Sequence, residues 1–177
     1  MEALERYLNS FGKYVVKQSR ANLTRKKKNV SKELYNSLEF KVVKTTEGFS
    51  VQFLMADYGT FIDKGVSGTK KINEYTTYDG RRVESPYKYR NFGPPIDIIS
   101  KWIRMRGIAP KGLGKARSKK TGQFISPFAY LVSRKIKRDG IKGISFFQRS
   151  LQLGLKDFYE QVGKAIKVDI LNNLRQI

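Results

Sequence analysis

Along residues 2 to about 25 the apolar positions Leu4, Leu8, Phe11, Val15 and Val16 recur at three- and four-residue steps. That spacing predicts an amphipathic helix with one inward stripe. The basic cluster Arg25 to Lys28 follows it, where cations suit a helix C-terminus. A second, shorter helical turn is predicted from Ser31, with Ser31 as its N-cap and Leu34 and Leu38 turned inward. From about Glu39 the period changes to two. Phe40 and Val42, then Phe49, Val51 and Phe53, alternate around Glu47-Gly48, which predicts two antiparallel strands joined by a turn. Tyr58, Phe61 and Ile62 are then expected to fold back on that sheet as a short helical turn.

Residues 64 to 95 carry no helical period. Asp79-Gly80 marks a hairpin turn there, and the segment reads as a protruding hairpin or arm. Ile96 to Gly107 predicts a helix with Ile98, Ile99, Trp102 and Ile103 in one stripe, ended by Gly107. Residues 111 to 123 form a basic Gly/Lys loop. Both the arm and this loop are expected to order on docking, because neither is apolar enough to pack alone. Ser126 as cap and Pro127 at the first position open a further helix, stopped by Gly140. A single long helix is predicted for the C-terminal stretch, since Leu151, Leu155, Phe158, Val162, Ile166, Ile170 and Leu174 recur at a near-constant four-residue step. No internal repeat interrupts this order.

The composition narrows the chemistry. At 177 residues with 40% apolar content, the chain is long enough for one ordinary domain with a core. Lys plus Arg number 36 against 15 acids, a formal net charge of +21. Such an excess favours polyanionic surroundings. There is no Cys and no His. Disulfides, zinc sites with Cys or His ligands, thiol nucleophiles and Ser-His-Asp catalysis are therefore excluded, while an oxygen-ligand cation site stays open. No stretch reaches the ~18 apolar residues of a membrane span, and the first residues lack a signal-peptide apolar core. A soluble chain without a membrane partner is expected.

Two phosphate-loop candidates fail on spacing. A P-loop requires G-x-x-x-x-G-K-[ST]. No glycine stands five residues before Gly68, and Ala109 and Ala116 occupy the required Gly and Ser/Thr positions around Gly114. A metal-dependent nuclease needs converging acids. Glu39 to Lys41 resembles one fragment of such a signature, but Asp57 and Asp63 lie six apart across a turn, and Asp63 is expected to cap that turn or pair with Lys64. The glycines Gly59, Gly65, Gly68, Gly107, Gly140 and Gly143 fall at element ends, as backbone punctuation.

The basic face is more substantial. Residues 101 to 143 hold thirteen Lys or Arg and one acid, Asp139. Tyr75, Tyr78, Tyr87, Tyr89 and Phe92 interleave with Arg81, Arg82, Lys88 and Arg90, a pattern suited to stacking and phosphate contact. Together with Lys115, Arg117, Lys119 and Lys120 of the loop, these cations are the interface or DNA-facing candidates. A solvated face, or docking on an acidic protein, accounts for the same charge, and no helix-turn-helix, zinc-finger or RNA-recognition signature is present.

The order of elements resembles the tail-completion or neck (head–tail joining) proteins of tailed bacteriophages. The turn Tyr58, Gly59, Phe61, Ile62, Asp63 and Gly65 carries the resemblance, as does the C-terminal turn Gly140, Gly143, Phe146, Phe147 and Leu151. Pro95, Trp102, Ile103 and Gly107, then Ala129, Tyr130 and Val132, match a further segment. The chain departs from the pattern in lacking a proline after Phe146 and Phe147 and in the length of 64–95. The resemblance implies an α+β fold: a small antiparallel β-sheet packed by a long N-terminal helix and a long C-terminal helix, with two further helices and a long protruding loop or hairpin. It also implies a structural virion protein rather than an enzyme, with no cofactor, no metal and no catalytic residues. Such a protein would sit at the neck or tail of the virion, and in the host cytoplasm during assembly. The expected partners are its own copies in a six- or twelve-fold ring, portal/connector and tail-terminator or tail-tube proteins, and genomic DNA through non-specific contact. The expectation from a different class is a basic, stand-alone nucleic-acid-binding protein. Phe146 and Phe147 are expected in the core.

Overall fold

The computed structural model describes residues 2–28, 30–46, 48–108, 116–117 and 124–175, with the main chain alone at 116, 117, 124 and 125. The fold is α+β. Its elements run α1 (Glu2–Arg25), α2 (Glu33–Ser37), β1 (Glu39–Thr45), β2 (Gly48–Leu54), α3 (Gly59–Lys64), β3 (Gly65–Ser67), β4 (Glu74–Thr76), β5 (Arg82–Glu84), α4 (Ile96–Met105), β6 (Ala116–Arg117), β7 (Phe124–Ile125), α5 (Pro127–Asp139), β8 (Gly140–Lys142), α6 (Phe146–Leu155) and α7 (Phe158–Leu174). The chain forms two compact units. The first holds Met1–Gly59, Thr76–Arg81 and Ser145–Ile177; the second holds Thr60–Tyr75 and Arg82–Ile144.

The first unit is built on α1. Leu4, Leu8, Phe11, Val15, Val16 and Leu23 are buried along one face, as the spacing requires. β1 and β2 pair antiparallel from Glu39↔Leu54 to Thr45↔Gly48. A run of aromatic contacts ties the layers together: Tyr7 to Phe158 at 5.9 Å, Phe158 to Phe11 at 4.7 Å, Phe11 to Phe53 at 6.2 Å and Phe53 to Phe147 at 5.3 Å. Each such pair contributes about 0.5–1.5 kcal/mol beyond its buried area. Phe146 is fully buried, and Phe147 is half-buried against Phe53. Two glycines let elements approach closely. A Cβ on Gly12 would lie 2.2 Å from the Phe40 ring, and one on Gly154 would lie 2.8 Å from Phe11.

The C-terminal stretch differs from the single helix expected. It breaks at Lys156 and Asp157 into α6 and α7. Both run antiparallel to α1. Asn22 meets Phe146 and Ser150 near the start of α6, and Tyr7 and Phe11 meet Phe158 at the start of α7. Helix geometry explains why the four-residue step misled. Each such step advances about 40° around the axis, so a strict run of them winds off any one partner. Ile170 and Leu174 are accordingly 53% and 63% exposed. Asp169, about 20° from Phe158 by the same arithmetic, is the residue that turns inward, at 4% exposure. The α2 cap also differs: Lys32, in the left-handed region at φ 55, stands at the N-cap without a side-chain bond. Leu34 and Leu38 are buried as expected.

In the second unit, Ile99 and Ile103 of α4 pack on Ala129 of α5, with Ile96, Phe128, Val132 and Ile136 around them. The α4 stripe therefore splits, because Ile98 and Trp102 stay 58% and 40% exposed. Gly107, at φ +64, follows the end of α4. α5 opens as expected: Pro127 occupies the first turn, and the Ser126 hydroxyl accepts the Ala129 amide at 3.3 Å. Gly140 then carries the chain into β8, which pairs antiparallel with β3. The loop expected at 111–123 has its described part in β6, paired with β7. Among the described residues no helix is long and apolar enough to cross a membrane.

Candidate functional site

The resemblance-bearing turns are separated by more than seventy residues, and their glycine-rich parts meet at one crossing in the second unit. Gly65, at φ +75, pairs with Lys142, and Val66 pairs with Ile141. A Cβ on Gly65 would lie 2.4 Å from the Gly143 amide nitrogen, and one on Gly143 would lie 2.8 Å from the Asp63 carbonyl oxygen. A Cβ on Gly140, at φ +74, would lie 2.1 Å from the Val66 carbonyl oxygen. Main chain touches main chain here, and only glycine fits. Ile144 donates its amide to Ile62 O at 3.1 Å, closing the crossing. Asp63 is 1% exposed within it.

Asn73 is the clamp that sequence reasoning missed. Its side-chain amide donates to Val66 O and to Asp139 O, both at 2.9 Å, while its own main-chain amide donates to Ser67 Oγ at 3.0 Å. One buried side chain thus joins β3, the end of α5 and the following loop. The signal in the sequence is thin: an asparagine in an irregular stretch, five residues after Gly68.

The remaining motif residues divide by role. The Tyr58 hydroxyl takes a hydrogen bond from the Leu34 main chain at the start of α2 and bonds the Ser31 side chain. Ser31 therefore serves Tyr58 rather than acting as the expected helix cap. Burial, then the nearby Glu33 carboxylate, raises the Tyr58 pKa against the lowering effect of these bonds. Phe61 is 41% exposed and stacks edge-on with Tyr87 at 4.6 Å, so its ring partner is a tyrosine of the 64–95 segment instead of the β1–β2 sheet.

The hairpin predicted around Asp79-Gly80 is present as β4 and β5, with Gly80 at φ +87. Hydrogen bonds tie the 64–95 segment into the chain at several points. In the second unit Ser67 donates its amide to Tyr87 O and accepts the Tyr89 amide, and Ser85 Oγ donates to Gly65 O at 2.7 Å. Ser133 Oγ and Lys137 Nζ of α5 donate to Pro94 O and Asn91 O. In the first unit the hairpin tip is held by Thr76 N on Ser145 Oγ and Tyr78 N on Gln148 Oε1. Backbone pairing, invisible to composition, satisfies this polar segment.

The cationic candidates are not equivalent. Arg82, Lys88 and Arg90 are exposed. Arg81 pairs with Asp79 at 2.5 Å, and that pairing, with the Thr77 hydroxyl bond first, lowers the Asp79 pKa. On α5, Arg138 is committed to Asp139 through two bonds of 2.7 and 2.9 Å. Lys115, Lys119 and Lys120 lie outside the described residues, and Arg117 is described by its main chain alone. Of the aromatic set, Tyr89 is half-buried, with burial raising its pKa, whereas Tyr78 and Phe92 stay 50% and 85% exposed.

Two apolar faces remain open to solvent. Ile98, Trp102 and Met105 share a stripe on α4, and Ile170, Leu171 and Leu174 share one on α7. Among the described residues no group of three or more acids is placed to hold a metal ion. Compared with family models, with curated proteins and with solved structures, the chain finds no match.

Proposed function

We propose that the chain is a structural subunit of a tailed-phage virion, working at the head–tail junction as one copy in a neck or tail-completion ring. The observation that carries this reading is the glycine crossing. The two stretches on which the resemblance rests, 58–65 and 140–151, contribute the paired strands, the three constrained glycines and the buried Asp63 of one structural joint. A shared joint of this kind is what a common fold would keep, which supports reading those residues as architecture.

Assembly then falls to the surface. Exposed apolar stripes flanked by cations, such as Ile98, Trp102 and Met105 beside Lys101 and Arg104, suit burial against a neighbouring subunit. The test is to look for the protein in purified phage particles by peptide mass spectrometry, followed by antibody labelling. Label at the head–tail junction is the expected result. Absence from particles sinks the reading.

A further inference from the structure

A second basic region lies outside the stretch that dominates the charge count. From Arg6 to Lys32 the chain carries nine Lys or Arg and no acid. α1 buries its apolar face, so its cations stand on the opposite side. Lys13, Lys17 and Arg25 are exposed, and they line a groove of about 860 Å³ whose floor includes Val16, Leu38 and Phe40. One acid, Glu39, lines it as well. Arg20 is fixed in the wall: its guanidinium donates to Tyr35 O at 3.0 Å and to Leu38 O at 2.9 Å, and sits 5.2 Å from the Tyr35 ring centre. The positive charge at this place is therefore partly pre-positioned by the fold.

We propose that this edge of α1 is a track for the phosphate backbone of a nucleic-acid strand, with Lys13, Lys17 and Arg25 as the phosphate contacts. The spacing supports a strand over a folded acidic partner. Lys13 to Arg25 spans about 18 Å of helix axis, and one nucleic-acid strand presents a charge about every 3.4 Å along its axis. From Arg6 to Lys32 no acid interrupts the cations, and Glu39 is the one acid lining the groove, a nearly unmixed row that matches the uniform repeat, whereas protein surfaces mix both signs. The two lysines are also less committed than the cations of α5. Arg138 is engaged with Asp139 and Lys137 with Asn91 O, while Lys13 and Lys17 take no part in the ion pairs Arg81–Asp79, Arg138–Asp139 and Lys164–Glu160. Arg25 is positioned instead, its guanidinium donating to Asn22 Oδ1 at 2.6 Å, a neutral partner that leaves its charge unpaired by an acid. The contacts carry no base-reading geometry, so binding is indifferent to sequence. This site stands independently of the particle reading, because its test is made on the purified chain.

The test is fluorescence anisotropy with a labelled duplex of about 20 base pairs and the matching single strand, across a salt series. The variant is Lys13→Ala/Lys17→Ala/Arg25→Ala, and the control removes equal charge elsewhere with Lys156→Ala/Lys164→Ala/Lys167→Ala. A thermal melt of each checks that the fold is kept; these side chains are exposed. The α1 variant is expected to bind at least about tenfold more weakly at ~0.1 M salt, with the slope of log K against log salt reduced by about 2 to 3. The control should change affinity less than about threefold. Equal loss in both variants overturns the proposal in favour of diffuse charge. Unchanged binding by the α1 variant overturns it too, as does binding to a poly-glutamate peptide but to neither nucleic acid.

Discussion

The Asp169 carboxylate on α7 accepts the Leu4 main-chain amide of α1 at 3.0 Å, and the neighbouring Ala3 amide at 2.9 Å. A helix N-terminus leaves such donors unpaired, and here a side chain from far along the sequence supplies the acceptor. Burial alone would raise the Asp169 pKa, but the amide donors, Ala3 and Leu4 first, outweigh it and hold the carboxyl below its ordinary value.

Asp169→Asn should therefore lower the melting temperature at neutral pH, since a neutral amide offers one acceptor and no charge to the helix end. The sign of the pH dependence follows from the lowered pKa. The ionised form is the one the fold favours, so its contribution is complete above the unfolded carboxylate value of about 3.9 and disappears as pH falls through the native one. The melts of the two proteins should begin to converge below pH ~4 and meet once pH has fallen through the native value. A gap that does not narrow at all below pH ~4 would remove Asp169 as the anchor.

Replacing Gly140 by alanine should cost about 2 kcal/mol or more in urea unfolding, because positive φ and a main-chain collision act together. Gly107→Ala provides the contrast. Its φ is also positive, yet nothing lies within 4 Å of the added Cβ. Its cost should stay near about 1 kcal/mol. Equal costs would show that backbone conformation, and not the tight crossing, sets the requirement for glycine.

Ser19 offers a gain. It is fully buried in α1, and its hydroxyl has no hydrogen-bond partner among the described residues. Ser19→Ala removes an unpaired polar atom and improves helix propensity, so stability should rise by up to about 1 kcal/mol. A loss in denaturant melts would mean that the hydroxyl finds a partner in solution.

Ile98→Asp addresses assembly. Ile98 is largely exposed near the start of α4, where an acid suits the helix dipole. Its stability should remain within about 0.5 kcal/mol of the parent. On the neck role proposed above, phage made with this variant should accumulate unjoined heads and tails. Normal particle yield would show that the α4 stripe is not a docking face.

Much of the architecture was legible because local periodicity and turn chemistry agreed. The α1 stripe, the β1–β2 alternation, the Ser126–Pro127 start of α5 and the Gly107 and Gly140 stops all follow from such signals. What escaped was set by long-range partners. Nothing near Asn73 announces that it bridges Val66 and Asp139, and no local pattern pairs β3 with β8. The inward face of α7 was partly legible. Asp169 stands eleven residues after Phe158, a spacing that returns to the same helix face, but an even apolar step drew attention to Ile170 instead. At the candidate surfaces, charge counts located cations without revealing which ones the fold had already engaged.

The order of segments in the two units also bears on how the chain is made. The first unit takes α1 to β2 from the early part of the sequence and α6 and α7 from the end, with the whole second unit encoded between them, interrupted by Thr76–Arg81 of the first. During synthesis, Phe11 and Phe53 emerge long before Phe147 and Phe158 can cover them. At roughly 5–20 residues per second the wait is on the order of 5–20 s, ample time for the inserted unit to fold on its own. Closure of the first unit is then a late event with a long loop to shut. A nascent chain arrested after α5 would expose an aromatic surface that chaperones recognise, making the C-terminal helices the step that decides between release and aggregation.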